Sequence, residues 1–209
     1  MKISYAIPVC NEHIELNKLL EYLLKHRRLK DEIVVQCDKG NTSEQVYEVL
    51  KHFDKLNSIN LKIIEYPLNG NFGAFKNNLK DYCSGDYIFQ IDADEYPDEY
   101  LMNTLPSIIE DNPGVDIFWV PRINLVEGLT ANHISKWGWR TDHQNRINFP
   151  DWQCRILKNV KRIKWQNKVH ETLTGFKIET RLPTNDEFCI HHYKTIERQE
   201  KQNKFYDTL

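Results

Sequence analysis

Two aspartates stand one residue apart in Asp92-Ala93-Asp94, directly after the apolar run Tyr87 to Ile91. In an extended chain residues i and i+2 point the same way, so both carboxylates share one side. Such a pair repels itself unless a cation lies near it. Oxygen-only ligation with open positions suits Mg²⁺ or Mn²⁺, and these ions usually complete their coordination with substrate phosphates. A surface turn rich in acids is the plainer account of the same residues. Asp38 closes another apolar run, Glu32 to Cys37. A carboxylate at such a strand end accepts hydrogen bonds from a nucleobase or ribose, or serves the turn Asp38-Lys39-Gly40-Asn41. Asn69-Gly70-Asn71-Phe72-Gly73 leads into a segment that carries Lys76, Asn77 and Asn78. Glycines admit close approach of a ligand and a helix N-terminus attracts anions. The stretch has neither the GK[ST] of a P-loop nor GxGxxG, and a plain turn before a helix explains it equally well.

These side chains need elements that bring them together. Ile3 to Pro8 is a short apolar run that ends in a turn. Leu16, Leu19, Leu20, Leu23 and Leu24 give a helix with one apolar face. Glu32 to Cys37 reads as a buried strand. Thr42 and Gln45 have capping-box spacing ahead of Val46, Val49, Leu50 and Phe53, a second helix. Leu61 to Tyr66 is a third strand, and Phe72, Phe75, Leu79, Tyr82 and Cys83 form a third helical stripe. Tyr87 to Ile91 is a fourth strand. Residues 98–111 are predicted helical, with a kink or break at Pro106. Val115 to Pro121 is a fifth strand.

Strands alternating with helices predict βαβ units and an α/β fold with a mostly parallel sheet. Right-handed crossovers place the strand C-termini on one edge, where such sheets bind ligands. Asn11-Glu12, Asp38-Lys39-Gly40-Asn41 and Asp92-Ala93-Asp94-Glu95 all fall at that edge. After Pro121 the alternation stops. Residues 122–153 are polar and aromatic, with Trp137, Trp139, Trp152, His133, His143, Arg140 and Arg146, and are expected to form a functional loop or lid. Short strand-like pieces follow at Cys154 to Leu157 and Lys168 to Leu173, and the tail from Thr195 is expected to be helical. With no repeat or linker, residues 1–209 are read as one domain, split into halves 1–121 and 122–209.

Lys and Arg number 28 against 30 Asp and Glu, a net charge of -2. That argues against a protein that holds nucleic acid mainly through its phosphates. No window approaches the length of apolar chain a transmembrane helix needs. The start, Met1 to Glu12, turns polar too soon for a secretory signal. Five cysteines, an odd count with wide spacing and no CxxC, argue against a disulfide framework and for a reducing compartment. A cytoplasmic location, or one peripheral at a membrane, is the expectation.

The ordered motifs have a precedent. Ile7-Pro8 with Asn11-Glu12 come first, then Val34-Val35 with Asp38 and Gly40, then Asn71-x-Gly73 with Lys76-Asn77, then Gly85-Asp86-Tyr87-Ile88 leading to Asp92-Ala93-Asp94-Glu95. The second half adds Pro150-Asp151-Trp152-Gln153-x-Arg155-Ile156-Leu157, Trp165, Val169-His170-Glu171 and His192-Tyr193. In this order they resemble family 2 GT-A glycosyltransferases, in particular the subset typified by lipopolysaccharide-core and other small bacterial or viral sugar transferases. The resemblance departs at the second strand, where Cys37-Asp38 replaces the usual paired acids and Lys39-Gly40-Asn41 the usual small turn.

The resemblance implies a GT-A, Rossmann-like sheet flanked by helices, with an irregular acceptor-side C-terminal part. It implies transfer in a single displacement, with inversion, from a nucleotide-sugar, in this family most often a UDP-sugar. The acceptor would be a hydroxyl of a glycan, lipid-linked or protein-linked sugar. Asp38 matches the base contact, Pro8 and Glu12 flank the nucleotide pocket, and Asn71, Lys76, Ala93 and Arg155 join the donor site. Asp92 and Asp94 match the acids linked to Mn²⁺ or Mg²⁺. Asp151 matches the acid before the acceptor-side segment and is the expected general base, its pKa raised by Phe149 and Trp152; Glu171 and Asp142 are its rivals. His170 would complete the metal shell. His191 and His192 are expected to be structural. Arg155 serves the diphosphate or pairs with Asp86 or Glu95. One of Trp137, Trp139 and Trp152 is expected to face a sugar. A sugar-nucleotide nucleotidyltransferase is disfavoured, because Pro8 to Glu12 lacks a basic glycine-rich loop. A non-catalytic carbohydrate-binding module is the remaining alternative.

Overall fold

A computed structural model of the chain describes residues 1–56 and 60–206. Strand β1 (Ile3–Val9), helix α1 (His13–His26), β2 (Glu32–Asp38), α2 (Glu44–Asp54), β3 (Leu61–Tyr66), α3 (Phe72–Asp81) and β4 (Tyr87–Gln90) alternate as the periodicity predicts. Then come β5 (Glu95–Pro97), α4 (Glu99–Asp111), β6 (Ile117–Glu127), α5 (Ala131–Trp137) and β7 (Asp151–Lys158). The chain continues through β8 (Lys164–Gln166), β9 (Thr172–Thr174), β10 (Glu179–Arg181), a short 3-10 turn, β11 (Ile190–Thr195) and α6 (Ile196–Tyr206).

The main sheet runs β3-β2-β1-β4-β7-β6-β11-β5, with β10 beside β6. β3, β2, β1 and β4 are parallel, β7 lies antiparallel between β4 and β6, and β11 runs parallel to β6. One face buries Leu16, Leu20 and Leu23 of α1, Val46 and Leu50 of α2, and Leu101 and Leu105 of α4. The other buries Leu79 of α3 together with Trp165 and Leu173 of the β8–β9 hairpin. A Cβ on Gly73 would lie 2.4 Å from the carbonyl oxygen of Asn167. That glycine therefore admits the chain beyond the hairpin's first strand rather than a ligand.

Four local expectations are revised. Pro121 does not end its strand: β6 continues to Glu127. On one side of β6, Pro121 falls between the β10 pairing, which ends at Trp119, and the β11 pairing, which begins at Arg122, while on the other side it stays in register with Trp152 of β7. Nor does Pro106 divide α4, where Leu101, Met102, Leu105 and Ile109 are all buried. Their burial contributes roughly 1.5–3 kcal/mol each, which outweighs the about 3 kcal/mol cost of an interior proline. Thr42 forms no capping box; its hydroxyl donates to the Asp38 carbonyl at 3.0 Å and Ser43 is the N-cap of α2. Residues 122–153 are not one lid, since they contribute the end of β6, α5 and the start of β7.

At the edge opposite the strand C-termini, Glu32 is held by four donors. Lys2 Nζ lies at 2.8 Å, Ser4 Oγ at 2.5 Å, Ser84 N at 2.5 Å and Ser84 Oγ at 2.7 Å. Burial alone would raise its pKa, but the Lys2, Ser4 and Ser84 bonds together bring it down to about 2. A carboxyl with a depressed folded pKa stabilises above its unfolded value, ~4.3, and that contribution drains away as pH falls toward the folded value. Urea unfolding of the parent should therefore show stability falling from about pH 5 downward. Glu32→Gln should lose roughly 2–3 kcal/mol at neutral pH and show a flatter acid dependence. An unchanged urea midpoint at pH 7 would remove Glu32 from this role.

Candidate active site

The site forms where β4, β5, β6, β7 and β11 bring charged side chains to one edge. Asp92 and Asp94 follow β4, but not in extended chain. β4 ends at Gln90, and Ala93 and Asp94 lie in a turn closed by Glu95 N donating to the Asp92 carbonyl at 2.9 Å, so strand alternation does not set the directions of the two carboxylates. Each uses its Oδ2. Asp92 Oδ2 accepts from Arg155 Nη2 at 2.5 Å, while Asp94 Oδ2 lies 3.1 Å from His192 Nε2 and 3.3 Å from Arg198 Nη2. Glu95 is fully buried and is the hinge of the cluster. Its Oε1 accepts from Arg155 Nη2 at 2.5 Å and Arg122 Nη1 at 2.8 Å, and its Oε2 accepts from the Asp92 backbone N at 3.1 Å. Arg122 then grips Asp151 Oδ2 through Nε at 2.9 Å and Nη2 at 2.7 Å. Asn124 Nδ2 donates to the same oxygen at 2.7 Å, and Asn124 Oδ1 lies 2.8 Å from His192 Nδ1. The path closes through His192 onto Asp94.

Strand alternation explains the convergence. Arg122 and Asn124 are two apart on β6, and Asp151 and Gln153 are two apart on β7. Arg122 pairs with Asp151, and Asn124 pairs with His192, in the strand registers themselves. The Asn124 amide hydrogens face Asp151, so its oxygen faces His192. Both ring nitrogens of His192 therefore face oxygen atoms.

The carboxyls at this edge are shifted in one direction. Burial pushes Asp94 up, but the His192 hydrogen bond and the charges of His192, Lys194 and Arg198 hold it well below the usual carboxylate range. Asp92 is also lowered: burial opposes ionisation, and the charges of Arg155 and Lys76 outweigh both that and the repulsion from Asp94. For Asp151 burial again acts upward, and Arg122, Asn124 and Gln153 bring it down. This corrects the expectation that Phe149 and Trp152 raise it; the guanidinium dominates the aromatic neighbours.

Other expected residues have mixed positions. Glu12 folds back, its Oε2 accepting from the backbone N of Cys10 at 2.9 Å and of Asn11 at 3.0 Å, with Arg198 Nη2 at 3.7 Å from Oε1. Pro8 is at the end of β1. Asp38 is buried and ties a turn: Oδ1 accepts from Leu68 N at 2.8 Å and Oδ2 from Asn41 Nδ2 at 3.0 Å. Asn71 is the N-cap of α3, accepting from Ala74 N at 3.0 Å. Lys76 pairs with Glu171 and lies 4.6 Å from the centre of the Trp165 ring. Ala93 is buried between the two aspartates. Of the rival bases, Glu171 is thus engaged by Lys76, and Asp142 is held by Arg146 Nε at 2.6 Å. Arg155 pairs with Glu95 and Asp92, and Asp86 instead accepts from Lys2 N at 2.6 Å. Trp137 lies against Trp139 and stacks on His133, while Arg181 lies over Trp152.

His170 is not brought to the aspartates. It is exposed, with φ of 53°, in the turn between β8 and β9. Among the described residues no group of three His, Cys, Asp or Glu side chains is arranged to hold a metal. The histidine that Asp94 meets is His192, which sequence reasoning left as structural. The available signal was the His192-Tyr193 motif that closes the family resemblance. Glu95, Arg122, Asn124 and Arg198 were likewise missed as site residues. Among the described residues, the hydrogen bonds and ion pairs of the Asp92 and Asp94 carboxylates all fall on Oδ2. Two hard carboxylate oxygens fit Mg²⁺ or Mn²⁺ that keeps substrate and water ligands, and not an all-protein metal cage.

A profile of glycosyl transferase family 2 matches residues 4–199. The chain belongs to glycosyl transferase family 2. Its fold is GT-A. S. aureus TarS 1–349 superposes with a TM-score of 0.65 at 15% identity, over 93% of this chain and 60% of that one. The same protein in complex with UDP-GlcNAc gives 0.65 at 16% identity, over 93% and 58%. A poly(ribitol-phosphate) β-glucosyltransferase of Bacillus spizizenii is 29% identical over 97 residues, 46% of this chain and 15% of that protein. This family 2 chain thus spans about 60% of the TarS fragment and a small part of the Bacillus enzyme. No described helix is long and apolar enough to cross a membrane.

Outer partners of metal ligands typically carry a 10- to 100-fold share of metal affinity. If Asp94 binds Mn²⁺, His192→Ala should weaken Mn²⁺ binding in the presence of UDP by about 10-fold or more, and His170→Ala should cost less. Paramagnetic titration of free Mn²⁺ measures both. The reverse ranking would return the metal-side role to His170.

Proposed function

We propose that this chain is an inverting glycosyltransferase that moves a sugar from a nucleotide donor, a UDP-sugar, to a hydroxyl of a glycan or glycolipid. The observation that carries the reading is the single charge network joining Asp92 and Asp94, at the end of β4, to Asp151, at the start of β7. Donor-side acids and an acceptor-side base on one rigid sheet edge are what a one-step displacement needs. The UDP-GlcNAc held in a crystal of TarS supports a nucleotide-sugar donor, and the name of the Bacillus relative supports sugar transfer.

Asp94, with Asp92 beside it, would hold Mn²⁺ or Mg²⁺ against the donor diphosphate. Such an ion supplies Lewis-acid stabilisation of the charge that develops on the leaving oxygen. Asp38, Pro8 and Glu12 border the nucleoside. Asn71, Lys76, Ala93 and Arg155 complete the donor side, with Lys76 and Arg155 offering positive charge already shared with Glu171, Asp92 and Glu95. On the opposite side Asp151 accepts the proton of the attacking hydroxyl. A low-pKa carboxylate is a weak base, so the proton moves late, once the new bond has acidified the hydroxyl.

Two substitutions separate the roles. Asp94→Ala should abolish Mn²⁺-dependent UDP binding in a calorimetric titration. Asp151→Asn should bind UDP within about twofold of the parent yet lose at least roughly 100-fold in hydrolysis of UDP-glucose or UDP-GlcNAc, water then being the acceptor. Turnover near the parental rate in Asp151→Asn would assign the base elsewhere.

A further inference from the structure

Asp151 is held asymmetrically. Oδ2 takes three donors, Arg122 Nε at 2.9 Å, Arg122 Nη2 at 2.7 Å and Asn124 Nδ2 at 2.7 Å, whereas Oδ1 takes one, Gln153 Nε2 at 2.8 Å. A carboxylate oxygen offers about two lone-pair sites. Oδ2 is saturated and Oδ1 keeps an open position. The guanidinium that saturates Oδ2 is also tied by Nη1 to Glu95, at 2.8 Å, and Glu95 shares Oε1 with Arg155, which holds Asp92. The charges therefore alternate without a gap from Asp92 through Arg155, Glu95 and Arg122 to Asp151.

We propose that Arg122 is the positioning residue of the acceptor side. It fixes Oδ1 of Asp151 as the atom that takes the acceptor proton, and it sets where that atom stands relative to the donor acid Asp92. The inference rests on reading Asp151 as the base. In the step itself the acceptor O–H gives its proton to Oδ1. The freed electron pair forms the bond to the anomeric carbon, and the bond from that carbon to the diphosphate oxygen breaks with its electrons leaving on that oxygen. Arg122 touches none of the reacting atoms. Its rigid fork spans two carboxylates at once, which the single ammonium of a lysine cannot do.

The groups facing Asp151 are Arg122 and Asn124 from β6 and Gln153 from its own strand. Beyond them stand Glu95, Arg155 and the Asn124 partner His192. Arg122 is the cation in direct contact, so weakening its grip raises the pH at which Asp151 becomes protonated. Hydrolysis of UDP-GlcNAc with Mn²⁺ should then fail at higher pH than in the parent, its acid limb moving toward the ordinary carboxylate value of about 4.

The test is Arg122→Lys, with three readouts. Calorimetric UDP binding should stay within about twofold and the thermal midpoint close to the parent. The rate at saturating UDP-GlcNAc should drop roughly 10- to 100-fold, the scale of a misplaced catalytic group, with the acid limb displaced upward. An unchanged rate and pH profile in a folded Arg122→Lys protein would overturn the proposal. So would a loss of UDP binding as large as the loss of rate, which would make Arg122 part of the donor site. Should the lysine variant fail to fold, Asn124→Ala removes one donor from the same oxygen. A smaller displacement in the same direction supports the proposal and none overturns it. Asp151→Asn run alongside tells the two failures apart. Full turnover there ends the base reading, while a dead Asp151→Asn beside a normal Arg122→Lys ends only the role of Arg122.

Discussion

A fully buried carboxylate between two guanidinium groups is the constraint around which this site is built. Glu95 shares one oxygen between Arg122 and Arg155 and gives the other to the backbone of Asp92. Removing water from a charge costs several kcal/mol per ion, and the cost is offset here by the two guanidinium groups and the backbone N–H that donate to Glu95. Breaking such an arrangement by removing one partner typically costs about 3–5 kcal/mol. Replacing all of it with apolar groups need not cost anything, so the network is better explained by what it orients than by the stability it adds. It holds Asp92 with one arginine and Asp151 with the other.

The βαβ half was open to sequence reasoning because its signals are local. The leucines of α1, the Ile-Val-Val of β2 and the stripe of α3 each follow a period that one buried face imposes. The position of Asp92-Ala93-Asp94 after an apolar strand was visible for the same reason. The remainder depends on pairings between residues distant in sequence. Arg122 meets Asp151 across 29 positions, Glu95 meets Arg155 across 60, and Asp94 meets His192 across 98. Pro121 hid the continuation of β6, so Arg122 and Asn124 looked like loop residues when they are an i, i+2 pair on a strand.

Charge rather than hydrophobic setting also decided the state of Asp151. Phe149 and Trp152 flank it in sequence and point to a raised pKa. A guanidinium bonded twice to one of its oxygens contributes far more than neighbouring rings do. Asp38 and Asn71 show the complementary lesson. Both were singled out for ligand contacts, and both have work within the chain, as the knot of a turn and as a helix cap. A residue can shape a pocket's wall by fixing the backbone around it.

The insertion of β11 between β6 and β5 carries a consequence for the order of assembly. The imidazole that faces Asp94 and the guanidinium of Arg198 are synthesised about a hundred residues after the aspartate they accompany. While the amino-terminal half emerges first, its parallel strands can pair, but Asp92 still lacks Arg155, Asp94 lacks His192 and Arg198, and β5 lacks its neighbour β11. Long-range strand pairings are slow to close. The β1–β4 framework is therefore expected to become ordered first, and the charged rim to be completed only when the late strand slots into place.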